Sequence, residues 1–110
     1  MGTIDLLGYN GKTYQFNLYT IGTSFKSLSG VYVFLKENSN GLMSIIYIGE
    51  TDNFEERLNL NIKNHQQYKC ISLNYPTHIA LLTVSGIRQN RLDIETNLRR
   101  NYSKSSCNDQ

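Results

Sequence analysis

The stretch GVYVFLKENSNGLMSIIYIGETDNFEERL, residues 30–58, decides the fold of this 110-residue chain. It contains two runs rich in β-branched and aromatic residues, GVYVFLK and SIIYIGE, which are typical of strands. The segment between them, ENSNGLM, is rich in turn-forming residues, so the two runs predict a β-hairpin with a long loop. Each predicted strand carries one glycine and one tyrosine, Gly30 and Tyr32 in the first, Tyr47 and Gly49 in the second.

A helix is predicted to follow this hairpin, over about residues 53–65. Asp52 and Glu55 have the spacing of an N-cap residue and its N3 partner in a capping box. Apolar residues then recur on one face of the helix, and we expect that face to pack against the sheet. The apolar residues are Phe54, Leu58 and Ile62.

The flanking segments predict a second hairpin, one more strand and a second helix. Asn10-Gly11 is the favoured dipeptide of a tight turn and predicts a hairpin over about residues 3–8 and 12–19. An apolar run over about residues 78–84 predicts a buried strand. The pattern then becomes helical from about residue 86 to about residue 102. Its apolar stripe consists of Ile87, Ile94, Leu98 and Tyr102.

Together these elements predict a small α+β domain, in which an antiparallel sheet is flanked by helices. We expect one domain over residues 1–110, with its core in residues 30–108. Residues 1–29 are expected to form an added N-terminal hairpin. A hydrophobic content of 39% is enough for one modest core in a chain of this length.

Charge is distributed unevenly along the chain, although the net charge is only +2. Residues 1–55 carry three basic and five acidic side chains, a net charge of −2, whereas residues 56–110 carry eight and four, a net charge of +4. The excess of positive charge on the later helices suits an anionic partner. Basic helix faces also occur merely for solubility, so charge alone does not decide the partner.

The sequence predicts an intracellular, cytoplasmic protein that does not cross a membrane. It has no run of 18 apolar residues, and its N-terminus lacks the features of a signal peptide. In a reducing compartment we expect Cys70 and Cys107 to be small buried thiols rather than a disulfide. A zinc site that adds His65 and His78 is the weaker alternative, because the spacing matches no compact ligand pattern.

Glu95 is predicted to lie inside the apolar arc of the second helix, between Leu92 on one side and Leu98 on the other. A buried carboxylate is unfavourable without a cation or a metal, so this residue requires a partner. Arg91 and Arg99, four residues before and after it, offer an ordinary structural pair. A functional role is the second interpretation.

Arg57 is predicted at the flank of the apolar stripe of the first helix, where its side chain can reach over the sheet edge. An arginine presents a planar fork of donors that matches a phosphate and keeps its charge. Taken alone, it fits an ordinary solvated helix residue better than a phosphate ligand.

The order of these elements resembles the GIY-YIG nuclease family over about residues 30–108. The segments that carry the resemblance are GVYVF, YIGETDNFEERL, NHQQYKC, THIALL and RLDIETNL, closed by Asn108 in SSCND. This sequence has Val31 where isoleucine is commoner in the first motif, and it lacks the usual proline before the final asparagine. The resemblance implies a metal-dependent endonuclease that hydrolyses DNA phosphodiester bonds.

The resemblance also implies roles for individual residues. Tyr32 would deprotonate or position the attacking water, and Tyr47 would supply a hydrogen bond beside it. Arg57 would bind the scissile phosphate and stabilise its developing charge, while Glu95 would hold one Mg²⁺ or Mn²⁺ ion. His65 is the alternative proton acceptor, because its ordinary pKa is closer to neutrality than that of a tyrosine.

Other residues are expected to support this site. Gly30 and Gly49 would allow close approach of the backbone to neighbouring groups, and Asn108 is expected to anchor the tail to the sheet rather than to react. DNA is the expected partner, and a partner protein or a second copy of the chain could supply target choice. Candidate weak DNA contacts are Lys63, Arg99 and Arg100.

Two other functions remain open at this stage. A catalytically silent domain of the same fold could bind nucleic acid or a protein, and a purely structural interaction domain would have an apolar, uncharged sheet face. Retention of the polar set Tyr32, Tyr47, Arg57 and Glu95 favours the nuclease.

Overall fold

Five antiparallel strands form one sheet in the computed structural model, which describes residues 2–108. The order across the sheet is β1-β2-β5-β3-β4. The strands are β1 Thr3–Leu7, β2 Thr13–Thr20, β3 Gly30–Glu37, β4 Met43–Thr51 and β5 His78–Thr83. The helical segments are a π-helix Glu55–Leu60, a 3-10 turn Ile62–Asn64, α1 Tyr68–Leu73 and α2 Arg88–Asn101. The predicted α+β class is confirmed.

Both predicted hairpins are present. β1 pairs with β2 around a loop whose Gly11 adopts a positive φ of 89°, a conformation that glycine adopts without strain. β2 also pairs with β5, so the N-terminal hairpin continues the sheet rather than standing apart from it. In the central hairpin, Tyr32 lies opposite Gly49 and Phe34 lies opposite Tyr47.

The first predicted helix differs from the expected one. It is a short π-helix followed by a 3-10 turn, and Asp52 does not cap it. Asn53 performs that role, because its Oδ1 accepts a hydrogen bond from the backbone N–H of Glu56 at 3.0 Å. Glu55 instead accepts a hydrogen bond from the Ser27 hydroxyl at 2.9 Å. Helix α1, which buries only Ile71, was not predicted.

The second predicted helix is confirmed as α2, with a correction at its start. Ile87 is the N-cap residue and has an extended backbone, so its side chain does not continue the helical stripe and is 70% exposed. Leu98, by contrast, is fully buried. Because α2 begins at Arg88, the apolar stripe is one turn shorter than expected.

Two apolar cores cover the two faces of the sheet. We call the face beneath the π-helix and α1 the tyrosine face, and the face beneath α2 the helix face. The tyrosine face includes Tyr32, Phe34, Tyr47, Phe54, Leu58, Ile71, Ile79, Leu81 and Cys107. The helix face includes Leu6, Phe16, Val31, Val33, Leu35, Ile48, Ala80 and Leu98. Over residues 2–108, none of the helices has the length and apolar character needed to span a membrane.

The expectation of two separate thiols is wrong, because Cys70 and Cys107 form a disulfide with their Cα atoms 5.9 Å apart. The chain after α2 turns back along the sheet, where the backbone N–H of Cys107 donates to the Ile46 carbonyl. This path brings Cys107 beside α1. The zinc alternative also loses its two sulfur ligands, and no three metal-ligating side chains gather anywhere in the described part of the chain.

Candidate active site

Tyr32 and His65 form a buried polar pair on the tyrosine face. The Tyr32 hydroxyl lies 2.6 Å from Nε2 of His65, and the two residues are only 1% and 3% exposed. Tyr32 is positioned by the central strand β3, whereas His65 follows the 3-10 turn. Two segments that are distant in sequence thus meet in one hydrogen bond.

The backbone of Gln67 fixes the tautomer of His65. Its N–H donates to Nδ1 of His65 at 3.0 Å, so Nδ1 carries no proton. A neutral imidazole has a single ring proton, which must therefore be on Nε2 and be donated to the Tyr32 oxygen. Burial and, to a smaller extent, the positive charge of Arg57 lower the pKa of His65 to about 4. The ring consequently stays neutral near pH 7.

Tyr47 completes a cluster of three rings. Its ring centroid lies 6.1 Å from that of Tyr32 and 5.1 Å from that of His65. Burial raises the pKa of both tyrosines above the ordinary value, and the nearby Tyr47 raises the pKa of Tyr32 further. The positive charge of Arg57 acts in the opposite direction on both phenols.

The two glycines of the motif are required by close contacts. A Cβ atom on Gly49 would lie 2.5 Å from the hydroxyl of Tyr32 and 2.8 Å from Cε2 of Tyr47. A Cβ atom on Gly30 would overlap the Leu82 carbonyl oxygen and lie 2.6 Å from the Phe54 ring. Both contacts are far shorter than normal van der Waals distances, so only glycine fits at these positions.

Arg57 lies on the π-helix, half-buried, within electrostatic reach of the ring cluster. It also lines a polar cleft of about 500 Å³, which we call the arginine cleft because Arg88 and Arg91 line it as well. The guanidinium therefore lies between the ring cluster and an open, solvent-accessible groove. A phosphate could reach it there, as the sequence predicts.

Glu95 is largely buried on α2, with 13% of its side chain exposed. Burial raises its pKa, which indicates a carboxylate without strong compensation. The structural pair expected with Arg99 is formed, but only as an ion pair with Nη1 3.8 Å away, beyond hydrogen-bonding distance. The negative charge of Glu95 also raises the pKa of Tyr32 and Tyr47, although burial contributes more. Glu95 therefore lies close enough to affect both phenols electrostatically.

The donor set around Glu95 fits a hydrated divalent ion. Mg²⁺ commonly takes one or two carboxylates and keeps several waters, so a single carboxylate with an open oxygen is sufficient. The proposed structural pair with Arg91 is not formed. Arg91 instead turns to Glu50 on β4, with its Nε 2.9 Å from Oε1 of that residue.

The sequence did not predict that the site region includes Glu50, Arg88 and Arg91. Arg88 also reaches Glu50, with its Nε 3.3 Å from Oε2. The available signal was Glu50 itself, because strand alternation turns the residue after Gly49 toward the face covered by α2. Which helix residues meet it depends on how α2 lies over β4, and the sequence does not specify that.

Asn108 anchors the tail to the second strand of the hairpin. Its Oδ1 accepts from the Ile48 N–H at 2.7 Å, and its Nδ2 donates to the Ile48 carbonyl at 2.8 Å. Arg99 donates to the carbonyl of Asn108 at 2.7 Å. Asn108 thus anchors the tail to the sheet, as expected from the sequence. Its carbonyl also holds the guanidinium of Arg99, which faces Glu95.

The three candidate DNA contacts do not gather on one surface feature of the site. Lys63 is exposed on the 3-10 turn, and Arg100 lies over the ring of Tyr9 at a distance of 4.7 Å from its centroid. Arg99 is occupied by the tail and by Glu95. His78 is bonded to its neighbour Thr77 through Nδ1 at 2.8 Å, away from the ring cluster.

Comparison with known proteins adds no relative from which a family could be assigned. No model of a known protein family, no curated protein and no solved structure matches this chain.

Proposed function

We propose that this protein is a divalent-metal-dependent endonuclease that hydrolyses DNA phosphodiester bonds. The proposal combines the motif resemblance of residues 30–108 with one observation, the buried hydrogen bond between Tyr32 and His65 beside Arg57. A structural core has no need for a buried phenol and imidazole at that position. A site that moves a proton next to a phosphate does need them.

Tyr32 is the proton acceptor in this proposal. The Nε2–H of His65 donates to its oxygen, which stabilises the phenolate relative to the neutral phenol. The positive charge of Arg57 favours the same ionised form. The phenolate would take a proton from the attacking water and so direct that water at the phosphorus atom.

His65 is a positioning residue rather than a base. Its Nε2 carries the donated proton and its Nδ1 lone pair is occupied by the Gln67 N–H. The neutral ring therefore has no free lone pair with which to accept a proton from water. Of the two general bases left open by the sequence, the geometry favours Tyr32.

Arg57 would bind the scissile phosphate, because its guanidinium opens into the arginine cleft and can present two parallel donors to phosphate oxygens. Glu95 would hold the Mg²⁺ or Mn²⁺ ion, one per site. The ion, when bound, would neutralise charge on the leaving oxygen. Tyr47, packed against both Tyr32 and His65, keeps the two rings in place and water-poor.

The cytoplasmic location predicted from the sequence stays a prediction, and one feature of the structure disfavours it. The disulfide between Cys70 and Cys107 is more typical of oxidising compartments. A partner protein or a second copy of the chain remains the expected source of target choice, since phosphate contacts alone carry no base information.

Glu95→Ala tests the proposal directly. We expect the rate of plasmid nicking in Mg²⁺ or Mn²⁺ to fall at least about 10³-fold. Nicking in EDTA is the metal-free reference. The protein should remain folded, because Arg99 is partly exposed and its loss of a partner strands no buried cation. Its melting temperature in EDTA should therefore hold or rise relative to wild type.

Asp93→Ala is the matched control, since it removes an exposed carboxylate from the same helix and should leave nicking intact. A Glu95→Ala protein that melts much lower in EDTA yet still nicks DNA in Mg²⁺ would contradict the metal assignment. If wild type binds DNA but never nicks it, the catalytically silent binding module becomes the better description.

A further inference from the structure

The arginine cleft contains more positive groups than the proposed reaction uses. Arg57 accounts for the scissile phosphate, but Arg88 and Arg91 line the same cleft and have no part in that step. Arg91 is the more unusual of the two, because only 8% of its side chain is exposed. A buried guanidinium at the wall of an open cleft requires an explanation.

Glu50 holds both of these arginines in place. One carboxylate oxygen accepts from Arg91 and the other from Arg88, at 2.9 and 3.3 Å. A single negative charge thus stands between two positive ones. Each guanidinium has five N–H donors, and within residues 2–108 only the Nε–H of each is hydrogen-bonded. The terminal N–H groups remain for a ligand in the cleft.

Acidic residues are also present at the cleft. Asp52 and Glu56 line it, but both are exposed, so water screens their charges more strongly than it screens the buried pair. Asn53 and Asn61 add neutral polar groups to the lining. The lining thus holds three guanidinium groups and three carboxylates, and the carboxylate of Glu50 is already paired with Arg88 and Arg91.

We propose that the arginine cleft is a second phosphate subsite, which binds the phosphodiester group next to the scissile one on the same strand. The proposal rests on the proposed nuclease function, since Arg57 would hold the scissile phosphate at one end of the cleft. Arg88 is the principal ligand of the neighbouring phosphate, and Arg91 supports it from the cleft wall. Glu50 is a positioning residue that keeps both guanidinium groups aligned.

The chemistry of the cleft favours a phosphodiester over other anions. The planar fork of arginine matches two oxygens of a phosphate, and a nucleic-acid strand always presents a second phosphate beside the first. The cleft volume of about 500 Å³ is within the range of ligand sites, so it can admit such a group with part of its sugar. A substrate with one phosphodiester would leave the subsite empty.

Arg88→Gln tests the subsite, and because 68% of the Arg88 side chain is exposed, the substitution removes little packing. The readout is the ratio of kcat/KM for a short DNA oligonucleotide to that for bis(p-nitrophenyl) phosphate, a single diester. We expect this ratio to fall about tenfold, since one charge-assisted contact is lost only with the longer substrate. The slope of the logarithm of the oligonucleotide binding constant against the logarithm of salt concentration should decrease by about one, as expected for the loss of one phosphate contact.

Lys69→Gln is the matched control, because it removes an exposed positive charge from α1, outside the cleft. Its ratio should change by less than about twofold. Equal losses in the two variants would overturn the subsite and leave only general attraction to a polyanion. An equal fall on both substrates in Arg88→Gln would also overturn it, because that result places Arg88 at the scissile phosphate.

Oligonucleotide binding separates this proposal from the nuclease proposal. If wild type cleaves neither substrate, fluorescence anisotropy of a labelled oligonucleotide still compares the variants. Binding that is weakened about tenfold in Arg88→Gln and not in Lys69→Gln would then support the phosphate site without the nuclease. Equal binding by all three proteins would refute the site.

Discussion

The two faces of the sheet bury polar groups in different ways. On the helix face, the largely buried Glu50 pairs with the buried Arg91 and with the exposed Arg88, so opposite charges compensate one another within hydrogen-bonding distance. On the tyrosine face, Tyr32 and His65 are buried as neutral partners, and the charge of Arg57 makes the protonation of His65 still harder. The first arrangement holds charges in place, whereas the second makes ionisation difficult.

This difference separates supporting residues from reacting ones. Compensated charges keep their ionisation states and serve as rigid positioning groups. Neutral groups with displaced pKa values can change state when a substrate or cation arrives, which is what proton transfer requires. Glu95, on α2 but poorly compensated, resembles the tyrosine face in this respect.

A large effect is expected at Arg57, which borders both the ring cluster and the arginine cleft. Arg57→Lys keeps the charge but loses the planar fork, so we expect DNA cleavage to fall about 10²- to 10³-fold. Plasmid nicking rates would measure this loss, and the far-ultraviolet circular dichroism should be unchanged. Near-normal activity would mean that Arg57 supplies only general charge and that the two regions share no phosphate.

A smaller effect concerns the stability of the tyrosine face in acid. As pH falls, the unfolded chain protonates His65 near its ordinary pKa of 6.5, while the folded chain resists until about pH 4. The folded state therefore loses stability from about pH 6.5 downward, by about 3 kcal/mol once pH 4 is reached. Urea unfolding at pH 7 and pH 4 would measure it.

His65→Gln serves as the reference for that measurement, because other groups also titrate in this range. The variant should lose about 3 kcal/mol less than wild type over the same pH interval, whatever its stability at pH 7. Parallel losses in the two proteins would show that His65 titrates normally and that the tyrosine face does not hold it neutral.

The effect that is smallest per step is the pH dependence of the rate, about tenfold per pH unit. Because burial raises the pKa of Tyr32, the phenolate fraction should grow tenfold per unit between about pH 6 and pH 9, and kcat with it. If His65 were the base instead, its pKa of about 4 would give a plateau above about pH 5. Single-turnover rates would distinguish the two.

Two tyrosine variants sharpen this test. Tyr32→Phe should lose the rising limb together with nearly all activity. Tyr19→Phe removes the same hydroxyl from a tyrosine that packs on Phe25 at the same face, and it should keep the wild-type profile. A Tyr32→Phe enzyme with an unchanged pH profile would exclude Tyr32 as the base.

The sequence predicts the hairpins well because their signals are local. Asn10-Gly11 and the β-branched runs around Tyr32 and Tyr47 determine turns and strands over a few residues. The same locality made the two glycines predictable as close-contact positions. The N-cap shifted from Asp52 to Asn53 because adjacent residues of nearly equal capping strength compete for one helix start.

The parts that the sequence did not predict depend on distant contacts. The disulfide joins residues 37 positions apart and forms because the tail returns along the sheet. The pairing of Glu50 with Arg91 depends on how α2 lies over β4. The hydrogen bond between Tyr32 and His65 joins residues 33 positions apart. None of these features has a periodic or local signature.

The returning tail also affects how the protein avoids self-association. β4 is the outermost strand of the sheet, and a strand in that position offers unpaired backbone groups to other chains. Cys107 and Asn108 occupy such groups on Ile46 and Ile48, and the disulfide secures them to α1. During synthesis this edge stays uncovered until Cys107 and Asn108 emerge, so the hairpin that carries Tyr47 is open to pairing with other nascent chains until then.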